Sequence, residues 1–169
     1  MKDTLLIPLA GYGRRFEEVG YTLPKQMLNI MGVTSLEYSL QSIDPNSDYD
    51  VVILLRTGLM TRFDIRPLFE KFFNRPCTFI EVEKDTRGSL ETCFLARNKI
   101  DPSSRLHIFT MDVRFEPSAR LSEIELNKSS AHLSLVKTNN PGYSYAKINQ
   151  ASMLVERVVE KRVISKLGI

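Results

Sequence analysis

The sequence has 169 residues, which is the length of one ordinary domain and is enough to bury a hydrophobic core. Hydrophobic residues make up 43% of it and charged residues 25%, proportions typical of a soluble globular protein. The net charge of +3 permits an anionic small-molecule ligand. It falls short of the basic balance typical of nucleic-acid-binding proteins, so no nucleic-acid partner is expected.

The chain shows no sign of a signal peptide or of a membrane span. Met1 to Asp3 leads directly into the first apolar run, without the apolar region and cleavage site of a leader. No run approaches the roughly 18 apolar residues of a transmembrane helix. We therefore expect a cytoplasmic protein with no membrane partner. Cys77 and Cys93 form no CxxC pair, which favours two free thiols over a disulfide.

Strand-like and helix-like segments alternate through the first two thirds of the chain. The pattern predicts strands at 5–9, 51–55, 78–82 and 106–111. It predicts helices between them at 35–43, 67–73 and 89–98. Ser35 could cap the first helix, and Pro67 suits the first turn of the second. The alternation predicts an α/β fold with a Rossmann-like, doubly wound and mostly parallel sheet flanked by helices.

After Pro117 the pattern changes to short strands separated by turns. The predicted strands cover 133–137, 145–148, 153–158 and 163–167. They either extend the first sheet or form a small β-rich lobe. His107 and His132 lie in or beside apolar strands, where a structural role is expected.

The first predicted strand runs into "LAGYGRRF", residues 9–16, which has two glycines and two arginines. The third glycine of a dinucleotide fingerprint is missing, and the P-loop pattern occurs nowhere in the chain. A Gly-x-Gly turn is often plain loop geometry, but its N–H groups can also face an anion, and Arg15 could bind phosphate oxygens. Lys25, directly after a proline in "YTLPKQML", is either a solvated side chain or a second phosphate ligand.

Together these segments resemble the nucleotidyltransferases that join a nucleoside triphosphate to a phosphorylated sugar or small molecule. Five blocks occur in the family's order along the whole chain: "LAGYGRRF", "LPKQML" with "IMGVTSLEYSL", "DTRGSLETCFLAR", "LHIFTMDVRF" and "YSYAKINQASMLVERVVEKRVIS". The resemblance implies the nucleotide-diphospho-sugar transferase type of fold. It is strongest for enzymes of bacterial capsule and envelope polysaccharide synthesis.

The resemblance also implies roles for individual residues. Arg15, Lys25 and Asp112 would be catalytic: Arg15 would hold the β and γ phosphates, Lys25 would stabilise charge at the α phosphate, and Asp112 would bind the cofactor Mg²⁺. The implied nucleotide-binding residues are Leu9, Ala10, Gly11, Gly13, Glu83, Gly88 and Ser89. The implied acceptor-binding residues are Tyr145, Glu160 and Lys161.

Glu83 bears on the choice of base. A carboxylate there could accept a hydrogen bond from the exocyclic amine of cytosine or adenine, which favours CTP over UTP or dTTP. Alternatively Glu83 faces solvent and pairs with Lys84 or Arg87. Likewise, Asp112 could simply cap a turn. The expected partners are a nucleoside triphosphate and a phosphorylated small-molecule acceptor, and a homo-oligomer is left open.

Two features depart from the family pattern. Arg14 occupies a position that is usually small, and the sequence ends at "SKLGI", where the family fold continues with a strand and a second metal-binding acid. No aspartate follows Asp112. We expect one nucleotidyltransferase domain over 1–169, incomplete at its C-terminus, with a nucleotide-binding half at 1–116 and the start of an acceptor-binding half at 117–169. The alternative is a truncated, non-catalytic nucleotide-binding or regulatory domain.

Overall fold

A computed structural model describes residues 2–11, 13–115 and 131–169. The chain divides into two compact units, Met1–Ile124 and Glu125–Ile169. The predicted boundary between residues 116 and 117 lies outside the described residues. The strands are β1 (Asp3–Leu9), β2 (Asn29–Ile30), β3 (Val33–Thr34), β4 (Tyr49–Arg56), β5 (Thr78–Val82), β6 (Leu106–Ile108), β7 (Val136–Lys137), β8 (Tyr145–Ile148), β9 (Val155–Val159) and β10 (Leu167–Gly168). The α-helices are α1 (Arg14–Glu18), α2 (Ser35–Leu40), α3 (Thr57–Arg62), α4 (Arg66–Phe73) and α5 (Ser89–Phe94).

The first unit is built on a parallel sheet of four strands in the order β5-β4-β1-β6. Successive residues of β1 point to opposite faces, and both faces are covered. Leu5, Ile7 and Leu9 belong to one hydrophobic cluster, whereas Leu6 belongs to the other. A strand buried on both sides needs the near-continuous apolar run that "LLIPL" supplies. The predicted α/β fold with a Rossmann-like parallel sheet is confirmed.

Helix α2 is shorter than the predicted 35–43, and its cap is Thr34 rather than Ser35. The Thr34 hydroxyl accepts a hydrogen bond from the Glu37 amide, and the Glu37 carboxylate accepts one from the Thr34 amide. This reciprocal capping box needs Thr and Glu three residues apart. Ser35 is instead the first helical residue, and its hydroxyl donates to the carbonyl of Lys25.

Two helices were absent from the sequence prediction. Helix α1 has only five residues and follows the glycine turn directly, so it shows too little periodicity to be recognised. Helix α3 contains Gly58, a residue that disfavours helices, and in the sequence this glycine indicated only the end of the preceding strand.

Two other elements end earlier than predicted. The helix predicted at 89–98 is α5, followed by a 3-10 turn at Arg97–Lys99. The strand predicted at 106–111 is regular only to Ile108, although the Phe109 amide still donates to the Leu6 carbonyl at 3.0 Å.

The second unit contains an antiparallel sheet in the order β7-β10-β8-β9. In the described part of the chain these strands pair only with one another, which agrees with the alternative of a small β-rich lobe. The strand predicted at 145–148 is confirmed as β8. The strand predicted at 133–137 is shorter in the structure, where β7 covers only Val136–Lys137. The strand predicted at 153–158 is shifted to β9, at Val155–Val159. In place of the strand predicted at 163–167, the structure has β10, at Leu167–Gly168. No helix in the described ranges has the length and apolarity needed to cross a membrane.

Candidate active site

The carboxyl ends of the parallel strands surround a cavity of about 460 Å³, which we call the main cavity. Its wall comes from the end of β1, the end of β4, the loop between β5 and α5, and the segment that follows β6. Open α/β sheets bind ligands at this edge. The predicted site residues that line the main cavity are Leu9, Ala10, Gly11, Gly13, Lys25, Gly88, Ser89 and Asp112.

The turn after β1 places two glycines at the cavity. Gly13 has φ 72° and ψ 28°, a left-handed conformation, and it immediately precedes α1. Gly11 is exposed, and an added Cβ there would meet no atom within 4 Å. The backbone at Gly11 is therefore open to a ligand, as an anion-binding turn requires.

Lys25 is held at the cavity by its backbone. Pro24, with φ −54°, precedes the 3-10 turn Lys25–Met27, and the Met27 amide donates to the Pro24 carbonyl at 2.8 Å. The Ser35 hydroxyl, at the start of α2, donates to the Lys25 carbonyl. The Leu28 amide donates to the same carbonyl at 3.3 Å, so the main chain of Lys25 is held by two hydrogen bonds. The side chain of Lys25 is half-buried.

The loop between β5 and α5 forms another wall of the main cavity. Gly88 precedes α5 with φ 160° and ψ −179°, which is extended backbone, and an added Cβ would meet nothing within 4 Å. The Thr92 hydroxyl donates to the Gly88 carbonyl at 3.2 Å, and the Thr86 and Thr92 hydroxyls are 2.7 Å apart. These bonds fix the loop while leaving the space beside Gly88 open.

Asp112 lies in a turn beyond β6 and is exposed. The residue before it is anchored, because the Ser39 hydroxyl donates to the Met111 carbonyl at 3.3 Å. Asp85 supplies a second carboxylate to the same cavity. Within residues 2–11, 13–115 and 131–169, no group of three or more His, Cys, Asp or Glu side chains could hold a metal ion by itself.

Two predicted site residues of the first unit lie outside the cavity wall. Arg15 is exposed on α1, and Glu83 is exposed just after β5. Neither is among the residues that line the main cavity. Arg87, one of the alternative partners of Glu83, forms an ion pair with Glu91 at 3.2 Å.

The three predicted acceptor residues belong to the second unit. Tyr145, on β8, is fully buried, and its hydroxyl donates to the Asn140 carbonyl at 2.7 Å. Glu160 and Lys161 follow β9 in an exposed turn, where Lys161 has φ 49° and its ammonium lies 3.1 Å from the Glu160 carboxylate.

Sequence reasoning missed Arg56, the last residue of β4. Its Nε donates to the Ala10 carbonyl at 3.0 Å, and its Nη2 lies 3.2 Å from the Asp85 carboxylate. The signal was present, because an arginine that closes a continuous apolar strand comes at the ligand-binding edge of a parallel sheet. Arg56 also lines a smaller cavity of about 220 Å³ that shares Gly11, Gly13 and Lys25 with the main one.

No protein-family model and no curated protein sequence matches the chain. Solved structures do match it. A nucleoside-diphosphate-sugar pyrophosphorylase from Vibrio cholerae RC9 aligns with 25% identity and a TM-score of 0.74, over 98% of this chain and 70% of that one. The inositol-1-phosphate CTP transferase from T. maritima aligns with 19% identity and a TM-score of 0.65, over 99% and 67%. A UTP-bound UGPase from Acinetobacter baumannii aligns with 16% identity and a TM-score of 0.69, over 99% and 72%.

The chain therefore has the fold of the nucleotidyltransferases, as the resemblance of its motifs predicts. Within that class, the structures it resembles are nucleoside-diphosphate-sugar pyrophosphorylases and related nucleotidyltransferases.

Proposed function

We propose that this chain takes part in nucleotidyl transfer, in which a nucleoside triphosphate and a phosphorylated sugar or small phosphate ester give a nucleoside-diphosphate-linked product and pyrophosphate. The observation that carries the proposal is the main cavity. It brings the glycine turn, Lys25, Gly88 and Asp112 together at the carboxyl edge of the parallel sheet. These groups come from separate parts of the sequence, and each has a chemistry suited to a nucleotide.

The triphosphate is proposed to bind at the glycine turn. The backbone N–H groups of Gly11 and Gly13 can donate to phosphate oxygens, because neither glycine carries a side chain of its own. Lys25 brings a positive charge to the same wall. On the other wall, the open space beside Gly88 suits a flat nucleobase lying against the backbone. Arg15, exposed on α1, is proposed to reach the outer phosphates.

Mg²⁺ fits the carboxylates that line the main cavity. This ion keeps several waters and is commonly held by one or two carboxylates together with substrate phosphates, so a ready-made cluster of protein ligands is not required. Asp112 would hold the ion, with Asp85 on the same cavity wall. When bound, Mg²⁺ neutralises phosphate charge and helps to align the reacting groups.

The reaction proposed here needs positioning and charge compensation more than a general base. An oxygen of the acceptor phosphate, already ionised at neutral pH, forms a bond to the α phosphorus while the bond from that phosphorus to pyrophosphate breaks. The main obstacle is the approach of two anions. Lys25 stabilises the charge that develops at the α phosphate, and the glycine turn holds the rest of the triphosphate in line.

The acceptor is proposed to contact the second unit. Glu160 and Lys161 are exposed and adjacent, which would let the carboxylate accept from acceptor hydroxyls while the ammonium meets its phosphate. Tyr145 would support this region from within the sheet, because its side chain is buried and its hydroxyl is bonded to Asn140.

For the base and the pathway we propose CTP and a cytoplasmic role in capsule or envelope polysaccharide precursors. Glu83 is exposed at the end of β5 and could accept a hydrogen bond from the exocyclic amine of cytosine. The similar structures include both a CTP transferase and a UTP-bound protein, so the choice of CTP rests on Glu83.

The test measures nucleotide binding by calorimetry and pyrophosphate release by a coupled assay. ATP, CTP, GTP and UTP are each supplied with Mg²⁺ and with glucose 1-phosphate or phosphocholine as acceptor. We expect CTP to bind most tightly. Asp112→Asn should abolish the Mg²⁺-dependent part of binding. Asp50→Asn is the matched control, since Asp50 lies at the opposite end of β4 and pairs with Lys2 at 2.9 Å.

The outcomes separate the two functions that the sequence leaves open. Pyrophosphate release that depends on the acceptor supports the transferase. Nucleotide binding without turnover by any acceptor would indicate a nucleotide-binding or regulatory module. Failure of all four triphosphates to bind would refute both functions, and tighter binding of UTP than of CTP would refute the proposed base.

A further inference from the structure

Arg56 is a charged residue in a place where charge is costly. It is only 7% exposed and ends β4, an inner strand whose preceding residues are all apolar from Val51 onward. A guanidinium is buried at this level only when its hydrogen-bonding groups and its charge are matched by partners. The partners of Arg56 lie on both neighbouring strands of the sheet, because β4 stands between β1 and β5.

On the β1 side, Arg56 holds the start of the glycine turn. Regular pairing between β1 and β4 ends at Leu9 and Leu55, so the Ala10 carbonyl lies just beyond the ladder. The Nε–H of Arg56 donates to that carbonyl at 3.0 Å in a buried hydrogen bond. In a planar trans peptide the C=O and the following N–H point in opposite directions. The bond to Ala10 therefore also sets the direction of the Gly11 N–H.

On the β5 side, Arg56 holds the loop that leads to Gly88. Its Nη2 lies 3.2 Å from the carboxylate of Asp85, which is three residues beyond the end of β5 and lines the main cavity. The Asp85 side chain is 58% exposed, so this ion pair is screened and its effect should be modest. One side chain thus contacts two loops that come from either side of its own strand.

We propose that Arg56 is a positioning residue that fixes the distance and orientation between the glycine turn and the loop at 83–88. Both loops are then already positioned when a nucleotide binds to them. This inference rests on the proposed nucleotide site. Its physical basis is preorganisation: a binding group held in position by packing and hydrogen bonds loses little freedom when the ligand arrives.

Two other roles are compatible with the same contacts. They predict different changes in nucleotide affinity when Asp85 loses its charge. If Arg56 simply bound phosphate, then removing the negative charge of Asp85 would strengthen triphosphate binding, because less negative charge would face the ligand. If Asp85 acted only as a metal ligand, its loss would weaken binding with Mg²⁺ and not without it. The positioning role predicts that loss of the Asp85 charge weakens binding in both conditions.

The experiment measures CTP and ATP binding by calorimetry, with Mg²⁺ and again with EDTA. We expect Asp85→Asn to weaken binding by about threefold and Arg56→Lys by about tenfold in both conditions, which is the range for residues in one ion-pair network. Arg56→Lys keeps the charge and loses the planar fork that contacts two loops at once. Asp50→Asn makes the same change of charge as Asp85→Asn at the far end of β4 and should leave binding unchanged.

A second measurement tests the contact without any nucleotide. In Asp85→Asn, amide hydrogen exchange should accelerate at residues 10, 11 and 13, which lie across β4 from the substituted loop. Asp50→Asn should not change exchange at these residues. Unchanged exchange together with equal or tighter nucleotide binding in Asp85→Asn would overturn the positioning role while leaving the proposed function standing. A wild-type chain that bound no nucleotide would refute the proposed function, and hydrogen exchange would still decide whether Arg56 couples the two loops.

Discussion

The aliphatic stem of Lys25 lies against Gly13: a methyl group added to Gly13 would be 3.6 Å from both Cβ and Cγ of Lys25. This is an ordinary van der Waals distance, so a methyl group at Gly13 would fit beside Lys25 without crowding. The glycine turn and the 3-10 turn therefore lie side by side at the wall of the main cavity. A glycine could be needed at position 13 because a side chain would clash or because the backbone is left-handed. Space for a methyl group is available, so the left-handed backbone is the reason that applies here.

Gly13→Ala should destabilise the fold through its backbone and not through a clash. An alanine at φ 72° is expected to cost about 1–2 kcal/mol in the free energy of unfolding. Gly11→Ala is the matched control, because Gly11 is not among the positive-φ glycines and its added methyl would meet nothing within 4 Å. Urea unfolding of both variants checks this. Equal stability of the two variants would contradict the argument from φ.

Gly88→Ala should weaken nucleotide binding while leaving the stability of the fold nearly unchanged. The extended backbone at Gly88 accepts any residue, and the added methyl would point into open space, so the free energy of unfolding should stay within about 0.5 kcal/mol of wild type. If the nucleobase lies against this backbone, the methyl occupies its place and CTP binding weakens. Calorimetry and urea unfolding on the same sample check both parts. Unchanged CTP affinity would remove Gly88 from the site.

Lys25→Ala should act mainly on the rate. A preorganised charge that stabilises the transition state is worth on the order of 10²–10³ in kcat, with a smaller change in KM. The control is Lys99→Ala, which removes an exposed lysine from the 3-10 turn after α5. Steady-state assays of pyrophosphate release distinguish the two variants. A Lys25→Ala protein with near-normal kcat would exclude the proposed role.

The sequence predicts the central sheet well because its signal is local. Continuous apolar runs mark strands that are buried on both faces, and Thr78–Val82 is a strand over the whole predicted range. The glycine turn is equally visible, since its two glycines are adjacent to the end of β1. The boundaries of α5 and β6 were less accurate, because element ends depend on the tertiary contacts of the last turn or last pair.

The missed features depend on contacts between residues far apart in the sequence. The bond from Arg56 to Ala10 joins residues 46 positions apart, and only the strand order places them side by side. Ser35 looked like a helix cap, but its hydroxyl contacts Lys25, ten residues earlier. Local patterns carry no information about such partners. A charged residue at the carboxyl end of a buried strand is nevertheless a usable indicator, as Arg56 illustrates.

Asp3 should make the stability of the fold depend on pH in the acid range. Burial opposes ionisation of this carboxyl, but hydrogen bonds from Arg105 at 2.8–3.0 Å and from His107 at 3.0 Å outweigh it, so the pKa of Asp3 lies below its ordinary value. A carboxyl with a lowered folded-state pKa stabilises the fold above its unfolded-state pKa, near 3.9. That stabilisation is lost as the pH falls through the lower, folded-state pKa.

The test compares wild type with Asp3→Asn by urea unfolding between pH 2 and pH 7. At pH 6 we expect wild type to be more stable by about 1.5–3 kcal/mol, the range for hydrogen bonds to a charged group. The difference should shrink as the pH falls below about 4, because the protonated carboxyl no longer attracts the Arg105 guanidinium. Asp50→Asn, which alters an exposed aspartate on the neighbouring strand, should change stability by no more than about 0.5 kcal/mol. A difference between wild type and Asp3→Asn that stayed constant across this range would show that the Asp3 carboxyl acts through shape and hydrogen bonding rather than through its charge.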